Sequence, residues 1–524
     1  MAKALKNRAS KQDYISPQQL ILAGFASPFS NQLLSTNRWV ILADRIAWDA
    51  LVSTYNRQLG NKFTGAGSIN PRVAIGALII KHLCDISDRE TILQIQENMY
   101  MQYFIGYSSF SNEAPFDASL FVDIRKRLTL EHINEINEKI LGIIGKENTD
   151  KTQSNQDTKD GGYASDEGPI EKSNPAESIT GDINDPIAIG SHKDVNPTQQ
   201  GSLLMDATAC PQDIAYPTDL NLLNDAREKS EELIDELQVG LTTARPRTYR
   251  EIARKKYLQT AQKKKKTKKE IRKAIRQQLQ YLKRNISSII KLMGQYNTIP
   301  LREKQYKYLL IIQTLYDQQK YMYDNKVHSV EDRIVSIHQP HVRPIVRGKT
   351  NAKVEFGSKI QVSLVNGIAF LDELSWDAFN ESTCLKRSVE KYKVRFGFYP
   401  KEVLADKIYC TRQNRKWLKE KDIKLRAKPL GRPSSKGALS IPVRPGERNA
   451  IEGKFGQAKT AYGMNRIKAR LKVTSESWVA SIVLVLNLIN IIGEASLSLL
   501  CKLIAWTKSL YQLPNFAKIK FALT

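Results

Sequence analysis

The chain has 524 residues, which excludes a small peptide and gives enough apolar side chains for two or three separate cores. Its 80 Lys and Arg against 54 Asp and Glu leave a formal charge of +26, a field suited to a polyanion such as DNA, where phosphate contacts release counterions. The five cysteines (Cys84, Cys210, Cys384, Cys410 and Cys501) are scattered with no CxxC pair, which argues against zinc and a disulfide framework and for a reducing, cytoplasmic setting.

Residues 1 to 146 read as a compact helical unit. The opening MAKALKNRASKQD carries charge without an apolar run, so no signal peptide is expected. Trp39, Leu42, Ala43, Ile46, Ala47 and Leu51 recur at helical spacing behind the cap candidates Ser35, Thr36 and Asn37. Pro71 opens a second helix through 79 to 83, and Ser87 with Glu90 has capping-box spacing before a third. A fourth helix, 118 to 128, ends in Arg125, Lys126 and Arg127, which makes the unit a candidate DNA reader of the helix-turn-helix type, although a generic helical bundle fits the same pattern.

From 147 to 200 the chain turns to Asp, Asn, Ser, Thr, Gly, Pro and Lys, too few apolar residues to offset ordering entropy, and a flexible linker is predicted. The linker predicts that the segments on either side fold independently. A buried strand then runs through Leu203, Leu204 and Met205 and ends at Asp206. A helical, charged region occupies 219 to 330. Within it, positions 254 to 276 hold twelve Lys or Arg, among them Lys263, Lys264, Lys265, Lys266, Lys268 and Lys269, against Glu270 as the one acid. On a single helix this run would span ~35 Å and track phosphates, where a solvated face is the plainer alternative.

After Gly348 the period becomes two: Val354, Phe356, Ile360, Val362 and Leu364 alternate, and 368 to 376 follows as a hairpin partner. A helix over 382 to 396, a buried strand from Glu402 to Ala405 ending at Asp406, a helix over 411 to 420 and a short strand over 423 to 427 complete the pattern. The order predicts an α/β domain of the ribonuclease H type over 201 to 524, with a large helical insertion at 219 to 330 after the first strand and the all-α unit in front. The apolar run from Trp478 to Ile492, broken by Asn487 and Asn490, falls short of the ~20 residues of a membrane span and reads as a core helix.

Phosphoryl transfer assisted by two cations needs hard oxygen ligands converging from separate elements. Asp206 and Asp406, each behind an apolar run, suit that chemistry; either could equally be a turn former or helix cap. In RNAIEGKFGQAKTAY, Ile451, Phe455, Ala458 and Tyr462 form an apolar stripe, with Arg448, Glu452 and Lys459 together beside it. A surface pair of Arg448 with Glu452 is the competing explanation. Asp372, Glu373 and Asp377 are second-ranked acids on an outer hairpin, and the HxxH pair His338 and His341, with Pro340 between, is a poor zinc site.

LLMDAT, VLADK and RNAIEGKFGQAK resemble the three acidic blocks of the DDE transposases of bacterial insertion sequences, the last two acids lying 46 residues apart. Arg448, Glu452 and Lys459 fit the tail signature of related families, except that Pro445 stands where a Tyr is expected. DASLFVDIRKRL (117 to 128), YPTDLNLLNDARE (216 to 228) and the block 333 to 360 are similar to the fifth insertion-sequence family and InsH-like transposases.

This resemblance implies an enzyme that binds inverted terminal repeats, nicks DNA and joins the freed 3′-hydroxyl to a target. Asp206, Asp406 and Glu452 would hold Mg²⁺, with Mn²⁺ as a substitute, while Arg448 and Lys459 position phosphates. Arg432, in the loop 428 to 437, adds a cation beside the site. The implied partners are double-stranded DNA, as transposon ends and target, and a second copy of the chain on that DNA. A ribonuclease H-like nuclease without strand transfer and a catalytically silent DNA-binding relative are the alternatives.

Overall fold

The computed structural model describes residues 33–57, 69–140, 199–346, 354–428 and 446–511, with side chains to position 493 in the last helix. The expected linker, apart from positions 199 and 200, lies outside these residues, as do Arg432 and most of its loop.

Among the described residues the N-terminal part holds the α-helices α1 (Arg38–Arg45), α2 (Trp48–Arg57), α3 (Pro71–Cys84), α4 (Asp88–Glu97), α5 (Met99–Phe104), α6 (Phe121–Arg127) and α7 (Leu130–Ile140). Asn37 caps α1 by accepting from the Trp39 N–H, and the chain turns extended at Ile46, so the single helix expected across 39 to 51 divides in two. Pro71 occupies the first turn of α3 behind Asn70, where a missing N–H costs no helical bond. Ser87 accepts from the Glu90 N–H at the start of α4.

The sheet follows. β1 (Ser202–Pro211), β5 (Glu402–Leu404) and β6 (Lys424–Arg426) are parallel neighbours; β3 (Val354–Val365) runs antiparallel on the other side of β1, and β2 (Arg343–Val346) and β4 (Ile368–Ser375) both pair with β3. Gly201 enters β1 at φ +78, a left-handed conformation that a side chain would strain, and a Cβ there would strike the Tyr392 hydroxyl. Between β1 and β2 stand α8 (Asp219–Gln238), α9 (Arg250–Ala261), α10 (Lys268–Met293) and α11 (Glu303–Asn325), which bury Leu223, Ile234, Leu282, Ile289, Ile312 and Leu315 among themselves. The basic run does not lie on one helix: Lys263 to Lys266 occupy the turn between α9 and α10, and the chain restarts at the Thr267 and Glu270 capping box.

Side chains alternate across β1. Leu203 and Met205 enter a core with Leu385, Val389 and Tyr392 of α12 (Cys384–Phe396) and Leu418 of α13 (Arg412–Glu420). Leu204 and Cys210 face the opposite core, built with α14 (Asn449–Ala461), α15 (Lys472–Tyr511) and the N-terminal helices.

This second core runs without a break from Trp39 and Ile80 to Val362, Ile451 and Leu486, so the two segments flanking the expected linker share one hydrophobic cluster. The stretch Lys472–Gly493 of α15 is long and apolar enough to cross a membrane, yet most of it is buried inside the protein. Ile482, Val485 and Leu488 are fully buried, each stabilising the fold by about 1.5–3 kcal/mol relative to exposure. The two asparagines that interrupt its apolar run have defined partners. Asn487 accepts from the Ala369 N–H (2.8 Å) and donates to the Ala369 carbonyl (2.7 Å) and to Asn137 Oδ1 (2.9 Å), tying β4, α7 and α15 together. Asn490 accepts from Lys454 Nζ of α14 at 2.6 Å.

Candidate active site

The parallel register of β1 and β5 pairs Leu203 with Val403 and Leu204 with Leu404. Asp206 and Asp406 are therefore equivalent positions, each two residues beyond the last paired residue. The expectation that β1 ends at Asp206 needs correction: β1 continues beside β3 to Pro211, and it is the pairing with β5 that stops. Asp206 belongs to the even face of β1, toward α14. Asp406 leaves its strand and caps a short 3-10 turn by accepting from the Lys407 N–H at 2.7 Å, so the capping role weighed from sequence is also present.

Arg448, at the N-cap of α14, joins the two acids: its Nη2 lies 3.1 Å from Asp206 Oδ2 and its Nη1 3.4 Å from Asp406 Oδ1. The partners of this guanidinium are thus the strand acids and not Glu452, one helical turn further on. Asp206 and Arg448 are largely shielded, with side-chain exposures of 17% and 22%, whereas Asp406 is more open at 46%. Burial pushes the Asp206 carboxyl above its ordinary range; the Ala207 N–H and Arg448 oppose this, and the charges of Glu381 and Asp406 add to it. The Arg448 Nε is buried without a hydrogen-bond partner among the described residues.

Two anchors that sequence reading missed surround this pair. Arg426, the last residue of β6, binds Glu402 at 3.4 Å and also Glu447, fixing the residue before Arg448. Glu381, held by Lys359 at 2.9 Å, brings a further negative charge to Asp206 from a short 3-10 turn. A lone acid in a loop and a strand-end arginine carry no periodic signal, so only the tertiary arrangement reveals them.

The remaining candidates are dispersed. Glu452 is exposed and Lys459 half-buried on α14, whose Ile451, Phe455, Ala458 and Tyr462 pack as the stripe predicted. Among the described residues no three His, Cys, Asp or Glu side chains converge closely enough to hold a metal. Asp372 is buried against Arg395 at 2.8 Å, and Arg395 also holds Glu138 of α7, so this second-ranked acid belongs to a packing network. Glu373 pairs with Arg387, and Asp377 lies exposed 3.8 Å from Arg343. His338 contacts the Tyr308 hydroxyl and His341 packs on Trp376, two separate environments that form no metal site.

The DNA-contact candidates divide. Arg125 is almost wholly buried, forms a forked pair with Asp88 (3.0 and 2.6 Å) and lies over the Trp478 ring of α15. It is a core cation out of reach of phosphate, which corrects its assignment. Lys126 and Arg127 are exposed, Lys126 pairing with Asp123 and Arg127 donating to the Tyr55 hydroxyl. Lys263 pairs with Glu270 and Lys266 donates to the Ala261 carbonyl, whereas Lys264 and Lys265 project exposed from the turn. Lys268 and Lys269 are exposed at the start of α10.

A mixed sheet flanked by helices brings two aspartates, one from each of two adjacent parallel strands, to the same guanidinium. Residues 403–489, which span Asp406, Arg448 and Glu452, match the family described as a transposase DDE domain, and residues 28–127 match the transposase domain DUF772. Over these two stretches the chain is similar to transposases, and both matches support a likeness to the DDE transposases of insertion sequences. It is also 38% identical over 65 residues to the uncharacterized protein ORF8 in the nfe locus of Rhizobium meliloti, a stretch covering 12% of this chain and 31% of that relative. No solved structure matches the chain.

Proposed function

We propose that the protein is an insertion-sequence transposase that recognises inverted terminal repeats and carries out DNA cleavage and strand transfer at Asp206, Asp406 and Glu452. The observation that carries this reading is the Arg448 bridge between Asp206 and Asp406, because it gathers two of the three acids and a cation suited to phosphate within ion-pairing range. The donor chemistry fits Mg²⁺ or Mn²⁺: carboxylate oxygens are hard ligands, and Asp206 and Asp406 both reach the same guanidinium from adjacent strands. Such cations activate an attacking oxygen and stabilise the leaving one.

Within the chain, Asp206, Asp406 and Glu452 are the residues that would hold the cation. Arg448, at the N-cap of the helix that carries Glu452, and Lys459 on that helix position phosphates near the reacting strand and neutralise charge as it develops. Arg432 supplies a further cation to the bound strand, and two copies of the chain act together on paired ends. The exposed Lys264, Lys265, Lys268 and Lys269, with Lys126 and Arg127, contact phosphates and contribute affinity without base reading.

The test is nicking of terminal-repeat DNA in Mg²⁺ by the single variants Asp206→Ala, Asp406→Ala and Glu452→Ala. Each is expected to lose cleavage while binding the DNA close to wild-type affinity. Robust Mg²⁺-dependent nicking by Asp406→Ala would remove the assignment.

A further inference from the structure

We infer that the helical insertion carries a nucleotide-binding cavity, separate from the acid site, that takes one unpaired base with its phosphate; this rests on the reading that the chain acts on DNA. The cavity, about 430 Å³, opens between α10 and α11 and reaches the start of α8. That volume falls in the range of small-molecule sites. Its apolar wall is Ile271, Ile275, Met322 and Tyr323, and its cations are Lys268, Arg272 and Lys326.

Two features give it a ligand preference. The Arg272 guanidinium lies 4.1 Å from the Tyr323 ring centroid, making a flat aromatic and cationic surface on which a heterocycle can stack. Asp219, the acid in the lining, is already engaged by Arg333 (2.7 Å) and by Gln319 (3.0 Å), so the positive charge of Lys268, Arg272 and Lys326 stands largely uncompensated. An apolar slot with an aromatic face and three cations at its margin matches a base bearing a phosphate. A neutral sugar would find no anion for these cations to hold, and a cationic ligand would be repelled by them.

Position supports the same occupant. Asp219 lies thirteen residues after Asp206, so the cavity is within ~47 Å of that acid along the chain, about fourteen nucleotide steps of a DNA strand. A strand crossing the aspartates can therefore place a nearby unpaired nucleotide in the cavity. A free nucleotide offers the same chemistry, and the experiment separates these two sources.

Binding of the full chain is measured to a twelve-nucleotide thymidine oligomer and to an abasic oligomer of equal length and charge, and separately to free dTMP and dAMP. The base-bearing oligomer is expected to bind about fivefold or more tighter than the abasic one, the effect of a single stacked base. Tyr323→Leu should erase that preference, and so should Val327→Trp, which fills the mouth at a residue already 40% exposed and threatens no core. Lys268→Gln should weaken both oligomers alike. Free mononucleotide binding that is lost in the same two variants would make a free nucleotide the occupant. Equal binding of both oligomers with no mononucleotide binding overturns the cavity assignment and leaves the transposase reading intact. Failure of the wild-type chain to bind any DNA overturns both.

Discussion

Arg448 and Asp206, 242 positions apart in sequence, meet at 3.1 Å where β1 parts from its parallel partner. Burial raises the proton affinity of Asp206, the Ala207 N–H and this guanidinium oppose the shift, and the charges of Glu381 and Asp406 add to it.

Asp206→Asn should therefore raise folding stability at pH 7 while abolishing cleavage. The sign follows from linkage: a carboxyl whose folded-state pKa is raised binds its proton more tightly in the native protein, so wild-type stability falls as pH rises through that value. The stability gap between variant and wild type should shrink as pH is lowered toward the carboxylate range. Denaturant unfolding of both proteins across roughly pH 4 to 7 reads this, and a variant less stable than wild type at pH 7 would show that the Arg448 contact outweighs the burial.

Arg125→Met is expected to lower stability by about 2–3 kcal/mol, below the usual cost of breaking a buried pair because Asp88 is 29% exposed and keeps Lys81 as a partner at 3.1 Å. DNA affinity per folded molecule should not change. Thermal unfolding with a parallel binding isotherm separates the outcomes, and a drop in affinity without a drop in stability would return Arg125 to the DNA surface.

A fragment of residues 1 to 146 should lack a cooperative thermal transition, because its core is completed by Trp478, Ile482 and Val485 of α15 and by Val362 and Leu364 of β3. Circular dichroism on heating is the measurement, with binding of a hydrophobic dye as a second readout of exposed apolar surface. A sharp transition in the isolated fragment would restore independent folding.

Replacing Lys264 and Lys265 by Gln should weaken DNA binding for any sequence and lower the salt slope by about 1.8, roughly 0.9 for each phosphate no longer neutralised. Lys263→Gln alone should do less, since that side chain is committed to Glu270. Titrations at several salt concentrations decide it, and an unchanged slope in the double variant would mark the turn as solvated surface.

Periodicity and punctuation set much of the local structure: caps at Asn37 and Ser87, the start of α3 at Pro71, the alternation of β3, and the stripe of α14 are all short-range consequences of side-chain chemistry. The acids Asp206 and Asp406 were legible because an apolar run followed by a carboxylate is a local pattern, and helical spacing already set Arg448, Glu452 and Lys459 beside the stripe. What the chain could not state locally was partnership. Arg125 looked like a free cation in a basic helix end, yet Asp88 and Trp478 enclose it; Asn487 looked like a break in an apolar helix, yet it bonds both backbone groups of Ala369. Glu381 and the pair Arg426 with Glu447 became parts of the site only when distant segments packed. The tertiary structure also merged two segments into one core, because residues 477–488 of α15 are buried on every face and need both the sheet and the N-terminal helices to cover them.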